Sequence, residues 1–279
     1  MHFNHNLQEI VSSDIEALKL TENDGIVVDV GAGYGGQILQ YLKIVSANQI
    51  YAFEPLPHNI DILLQNVTEN INFYPYACGP ENKTVRLEVP DFTPAKGRLD
   101  RNGVRSDYNG GSYVGELALP SLLRSNTSSI FVDQVRLDSF LPPGNIRLLK
   151  IDVQGYEEQV LKGLGNKLQD VQIAYIEYSP ERVDAAVYMR DNGFEIYDSK
   201  YIILGPPNGE EILKGIGFSQ IFGFTNSAGR YRYDCSLTDQ LYDEDVFNLT
   251  LPKGFRVNET DLICIRADIN QKIVQQLRN

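Results

Sequence analysis

The segment "GIVVDVGAGYGGQILQYLKIV", residues 25–45, constrains the fold more than any other. Residues 26–30 form an apolar, β-branched run interrupted only by Asp29. Such a run is too short for a helix and reads as a strand buried on both faces. Glycines at 31, 33, 35 and 36 then turn the chain directly into a helical pattern. The same grammar returns twice in the opening third. "QIYAFE" is a second strand stopped by Pro55, "PHNIDILLQNVTEN" a helix and "INFYPYACG" a third strand. It resumes with "IRLLKID" as a strand, "GYEEQVLKGLG" as a helix, "VQIAYIEYS" as a strand, a helix near 180–192, "GFEIYDSKYIIL" and a last strand "DLICIRA". Strand and helix in alternation predict an α/β fold with a mostly parallel sheet and helices on both faces.

Between these blocks the pattern changes. "TVRLEVP" and "IFVDQVRL" read as strands, but residues 91–125 are rich in Gly, Ser, Asn, Arg and Pro with little periodicity. A loop of that length inside a compact domain is functional or mobile, so it is expected to be a mid-chain insertion on the acceptor side. Residues 7–20 place Leu7, Ile10, Val11, Ile15 and Leu18 at helical spacing. No repeat or linker divides the 279 residues, and a single domain over 1–279 is expected.

Composition narrows the function classes. A net charge of −12 opposes binding to nucleic acid, so none is expected. No apolar run approaches the ~20 residues of a membrane helix, and the N-terminus lacks the basic start and apolar core of a secretory signal. Cys78, Cys235 and Cys264 are dispersed and odd in number, which predicts neither a disulfide frame nor structural zinc and fits the cytoplasm.

The glycine turn holds Gly31-x-Gly33-x-x-Gly36, a weak fingerprint that fits two cofactor classes. Asp29 helps to choose between them. A pyrophosphate beside that carboxylate is repelled by about 4 kcal/mol at ~4 Å and an effective dielectric of ~20. S-adenosylmethionine carries a sulfonium and an ammonium and no phosphate, so Asp29, Gly31 and Gly33 suit this methyl donor. The alternative is that Asp29 only hydrogen-bonds turn amides. Glu54, with Pro55 after it, closes the second strand, where a carboxylate accepts both ribose hydroxyls of an adenosine. Ala77, at the tip of the third strand, is assigned to the adenine slot. Asp152 and Glu177 end the fourth and fifth strands. Ligands of open α/β sheets lie beyond those carboxyl ends, so Asp152 is expected near the sulfonium and the acceptor.

These stretches carry a resemblance. "VVDVGAGYGGQ", "YAFEPLPHNIDILLQNV", "VRLDSF", "LLKIDVQGYEEQVLKGL" and "IEYSP", spaced over roughly residues 25–180, resemble the FkbM-type S-adenosylmethionine-dependent methyltransferases, and "TDLICIR" resembles their last strand. The resemblance implies a Rossmann-like seven-stranded sheet and O-methylation, often of sugars or hydroxylated natural products. Gln154 stands where many members have Glu, which puts a carboxylate role there in doubt.

A sugar hydroxyl needs a general base. Of the three histidines, His2 and His5 lie at the N-terminus and His58 reads as a surface helix residue. That leaves Asp152 first and Glu177 second as catalytic candidates. Either could instead hold a divalent cation that acidifies the hydroxyl, so metal dependence stays open. Lys150 reads as a helix-facing or surface lysine, and Tyr178 as an acceptor-pocket residue. Lys96, Arg98, Arg101 and Arg105 form a basic stretch able to clamp an acidic sugar or to lie solvated. "NGGSYVG", 109–115, reads as a lid with Ser112 near the donor. A small-molecule or glycan acceptor is the expected partner. Two other classes remain: an NAD(P)-dependent oxidoreductase, permitted by the glycine pattern, and a non-catalytic member that binds donor or partner.

Overall fold

The computed structural model describes residues 25–90, 113–114, 127–178, 184–198, 222–226, 229–233 and 260–269. The expected helix over 7–20, the basic stretch 96–105, Ser112 and the side chain of Tyr178 lie outside them. In chain order the elements are β1 (Ile26–Val30), α1 (Gly36–Tyr41), β2 (Ile50–Phe53), α2 (Pro57–Asn66), β3 (Asn72–Tyr74), β4 (Ala77–Cys78), β5 (Lys83–Pro90), β6 (Tyr113–Val114), β7 (Thr127–Val135), β8 (Ile146–Ile151), α3 (Glu157–Gly163), β9 (Val171–Tyr178), α4 (Asp184–Asp191), β10 (Phe194–Asp198), β11 (Phe222–Asn226), β12 (Gly229–Tyr233) and β13 (Thr260–Arg266). Among the described residues no helix is long and apolar enough to cross a membrane.

The main sheet has seven strands in the order β10-β13-β9-β8-β1-β2-β3. β1 runs parallel to β2 and β8, and β2 parallel to β3, whereas β13 is antiparallel to β10, so the sheet is mixed. β1 and β8 sit inside the sheet, which explains their near-continuous apolar sequences: Val27, Val28, Ile146, Leu148 and Leu149 are all 0% exposed. The chain divides into two compact units, Met1–Ile173 and Ala174–Asn279.

Within the first unit the third expected strand is two strands. The main-sheet part ends at Tyr74, where the Tyr76 amide turns back onto the Tyr74 carbonyl (2.9 Å). Ala77–Cys78 then pairs parallel with β7 in a separate four-stranded sheet, order β4-β7-β5-β6. Pro75 supplies the break, since it has no amide for the ladder. The strands read from "TVRLEVP" and "IFVDQVRL" form the centre of that second sheet, paired antiparallel from Lys83↔Gln134 to Pro90↔Thr127. In the second unit β10 and β13 pair antiparallel, and β11 and β12 form a two-stranded ribbon.

Candidate active site

The register of the first unit assembles the site. β1 and β8 pair with Asp29 opposite Lys150 and Val30 opposite Ile151. Paired residues on neighbouring strands project to the same face, so an acid and a lysine meet inside the sheet. Lys150 Nζ lies 3.2 Å from Asp29 Oδ1 and 3.5 Å from Asp152 Oδ2, with the lysine 2% and Asp29 0% exposed. It also donates to the Gly31 carbonyl at 2.8 Å. An ammonium has three donors and no acceptor, and here it faces three oxygens. Lys150 is therefore neither a surface nor a helix-facing lysine: it is the buried cation that ties β1, β8 and the glycine turn together. The sequence holds a signal for it. Asp29 stands two residues before Gly31 and Lys150 two before Asp152, so aligning the two strand tips places them side by side.

Asp29 is wholly enclosed, and its compensation among the described residues is Lys150, whose ammonium stands 3.2 Å from Oδ1. Burial pushes its carboxyl up, and Lys150 opposes that. Beside it the Tyr41 hydroxyl is buried with no hydrogen-bond partner among the described residues. Burial, then the Asp29 and Asp152 charges, push that phenol well up.

The glycine turn is closed by its own chain. The Gly31 and Ala32 amides both donate to the Phe53 carbonyl (2.9 and 3.0 Å), and the Gly35 amide donates to the Ala32 carbonyl at 2.9 Å. The Gly33 amide donates to Glu54 Oε2 at 2.9 Å. Gly31 has φ 78, and a Cβ there would stand 1.9 Å from the Asp152 carbonyl oxygen. The glycine turn and the Asp152 backbone are thus in direct contact, and only glycine permits it.

Glu54 lies just past β2 and is 5% exposed. Besides the Gly33 amide it takes the Leu56 amide at 2.9 Å and Asn59 Nδ2 at 3.2 Å, both on Oε1. A carboxylate has about four acceptor positions, so among the described residues Oε2 keeps one unfilled. Burial raises the Glu54 carboxyl to about 7, opposed by the Leu56, Gly33 and Asn59 hydrogen bonds and the Lys150 charge. Pro55 separates Glu54 from the Leu56 amide it accepts.

Asp152 follows β8 with its amide on the Val30 carbonyl (3.0 Å) and its side chain 38% exposed. Gln154, held at φ 57, donates through Nε2 to Asp152 Oδ1 at 3.3 Å, which a glutamate there could not do. Gly155, at φ 99, completes the left-handed exit. Glu157 closes this turn from α3 by accepting the Val153 and Gly155 amides at 3.3 and 2.9 Å. It is buried, and burial lifts its carboxyl to about 7.

Asp29, Gly31, Gly33, Glu54, Pro55 and Asp152 are therefore brought together around one turn. Ala77 is buried in the second sheet, and Glu177 belongs to the second unit, on β9. His58 is exposed in the first turn of α2, as expected. The sequence reading missed an aromatic cluster at the carboxyl ends of β2 and β3. Phe140 meets Tyr74 (5.1 Å), Tyr76 (5.6 Å) and Phe53 (6.2 Å), and Phe53 stacks on Tyr74 at 5.0 Å. Its one legible trace is Phe140 at the end of "VRLDSF". Among the described residues no group of three or more His, Cys, Asp or Glu side chains could hold a metal ion.

The chain is similar to several known methyltransferases. The hexuronic acid methyltransferase AglP of Haloferax volcanii is 28% identical over 160 residues, 57% of this chain and 58% of that protein. The chain thus spans less than two thirds of that relative's length. The 2-O-methyltransferase NoeI of Sinorhizobium fredii is 25% identical over 171 residues, 59% of this chain and 67% of that protein. Methyltransferase 1 of Beauveria bassiana is 22% identical over 189 residues, 62% of this chain and 74% of that protein. Among solved structures, a precorrin-6y C5,15-methyltransferase from Geobacter metallireducens aligns over 95% of this chain and 93% of its own at a TM-score of 0.41 and 10% identity, too remote to argue from. Residues 29–196, more than half of the chain, match the methyltransferase FkbM domain, and the chain belongs to that family of enzymes.

Proposed function

We propose that this methyltransferase moves the methyl group of S-adenosylmethionine to a hydroxyl of a sugar, glycan or glycosylated metabolite. The observation that carries the donor class is the closed glycine turn. In a dinucleotide site the amides of such a turn and its helix bind a pyrophosphate. Here the Gly31, Ala32, Gly33 and Gly35 amides are spent on Phe53, Glu54 and Ala32. Lys150 answers the enclosed Asp29, so the half-exposed Asp152 carries the cluster's remaining negative charge, and the surroundings favour a cationic ligand over a phosphate, which weighs against an NAD(P)-dependent oxidoreductase. The acceptor class is supported by two relatives, one named for hexuronic acid and one for 2-O-methylation.

In this reading Glu54 Oε2 takes a ribose hydroxyl, with Pro55 beside it, and the glycines at 31 and 33 let the backbone approach the ligand. Ala77 and Ser112 are further donor-side candidates. Bound there, S-adenosylmethionine would supply an electrophilic methyl group, with the neutral thioether as leaving group. Asp152 would hold the acceptor hydroxyl and take its proton, and Glu177 is the second candidate for this base. Much of the rate comes from alignment of oxygen, carbon and sulfur. A divalent cation held by either acid is a second route to the same ionised hydroxyl.

The test is transfer of a labelled methyl group to a panel of uronic acids, neutral glycans and glycosylated small molecules, with and without added Mg²⁺. Label in a hydroxyl-bearing glycan, lost in Asp152→Asn, is the expected result. Label on nitrogen, or on none of the panel, would refute the acceptor class.

A further inference from the structure

The cluster at the tips of β1 and β8 holds two carboxylates and one ammonium. Its members differ in access: Asp29 is 0%, Lys150 2% and Asp152 38% exposed. Lys150 stands closer to Asp29 (3.2 Å) than to Asp152 (3.5 Å), and it is further anchored by donating to the Gly31 carbonyl at 2.8 Å. Attraction falls with distance and with the dielectric around the pair. The lysine therefore spends itself first on the enclosed acid. Asp152 is the member a ligand can meet, and its carbonyl oxygen already abuts the turn at Gly31.

Resting on the donor reading above, we infer that Asp152 is the residue by which the site tells charged donor from spent product, and that Lys150 sets how strongly it does so. The donor carries a sulfonium, whereas S-adenosylhomocysteine, left after transfer, is a neutral thioether. A partly compensated carboxylate beside that sulfur favours the first and gains nothing from the second. The step balances in charge. As the methyl leaves, sulfur loses its positive charge, and the hydroxyl proton delivered to Asp152 removes the negative one. The attraction vanishes from both sides at once, which favours product release. Gln154 keeps Asp152 in place without adding charge, a reason for an amide at that position.

Calorimetric titration of wild type and Asp152→Asn with S-adenosylmethionine and S-adenosylhomocysteine tests this without an acceptor. The expected result is that the variant keeps its S-adenosylhomocysteine affinity within about threefold, while the preference for S-adenosylmethionine falls roughly tenfold, the scale of one displaced partial charge pair. Asp29→Asn/Lys150→Met removes the internal pair as a neutral unit and leaves Asp152 uncompensated, so there the preference rises. An unchanged ratio in Asp152→Asn, or equal weakening of both ligands, would overturn the inference and leave the donor reading intact. Wild-type protein that binds neither ligand would overturn the donor reading and the inference with it.

Discussion

Two neighbouring strand tips solve the same problem differently. Each buries a carboxylate beside the glycine turn. At the tip of β1 and β8, Asp29 is answered by a charge, the Lys150 ammonium at 3.2 Å. At the tip of β2, Glu54 is answered by neutral donors, two backbone amides and the Asn59 amide. The first arrangement is a charge pair whose members depend on each other. The second leaves a carboxyl lifted to about 7, able to change protonation near neutrality and with one acceptor position open. A buried ion pair gives rigidity to the turn, whereas a hydrogen-bonded carboxyl with a spare lone pair can take a ligand.

The largest test of that contrast is Lys150→Met. It leaves Asp29 enclosed and uncompensated, and loss of one partner of a buried pair costs about 3–5 kcal/mol. Urea denaturation should report a loss of that size, and Asp29→Asn/Lys150→Met should recover most of it. A single variant as stable as wild type would mean the pair holds nothing.

The next effect is in pH. Glu54 and Glu157 both sit at about 7 when folded, against the usual 4.5. Between those values the folded state binds more protons than the unfolded one, so their contribution is full below about pH 4.5 and is lost as pH rises through about 7. Each group should account for on the order of 3 kcal/mol. Glu157→Gln should flatten the fall in stability between pH 5 and 7.5, measured by thermal melts; the same slope in the variant would assign it elsewhere.

Smaller still, Glu54→Ala should weaken S-adenosylhomocysteine by about tenfold or more, near 1.4 kcal/mol. Unchanged affinity would leave Glu54 as a brace for the turn and nothing else. Smallest of all, His58→Ala should change stability by less than about 0.5 kcal/mol, since the side chain is exposed in the first turn of α2. A large effect would place function on the outer face of that helix.

The main sheet was legible because burial on both faces writes itself into sequence as unbroken apolar runs: β1, β8 and β9 are readable as strands by eye. The glycine turn, Glu54 and Asp152 were legible because each stands where a strand ends. Lys150 was not, because a lysine inside an apolar strand reads as a helix-facing or surface residue until the register brings Asp29 opposite to it. The break after Tyr74 was missed for a related reason. Tyr76, Ala77 and Cys78 continue a good strand pattern, and the pattern cannot tell which of two sheets the residues join. The role of Glu157 was not legible either, because its reach back to the Val153 and Gly155 amides depends on the left-handed turn at Gln154 and Gly155, which one-dimensional periodicity does not record.

The measurement that bears most directly on the central claim is a pair of calorimetric titrations of the wild-type chain, one with S-adenosylhomocysteine and one with NADH. A turn whose amides are closed on Phe53 and Glu54, flanked by Asp29 and Asp152, should bind S-adenosylhomocysteine in the micromolar range and NADH not at all. Binding of NADH without S-adenosylhomocysteine would contradict the account, because the turn would then have to open its amides to a pyrophosphate.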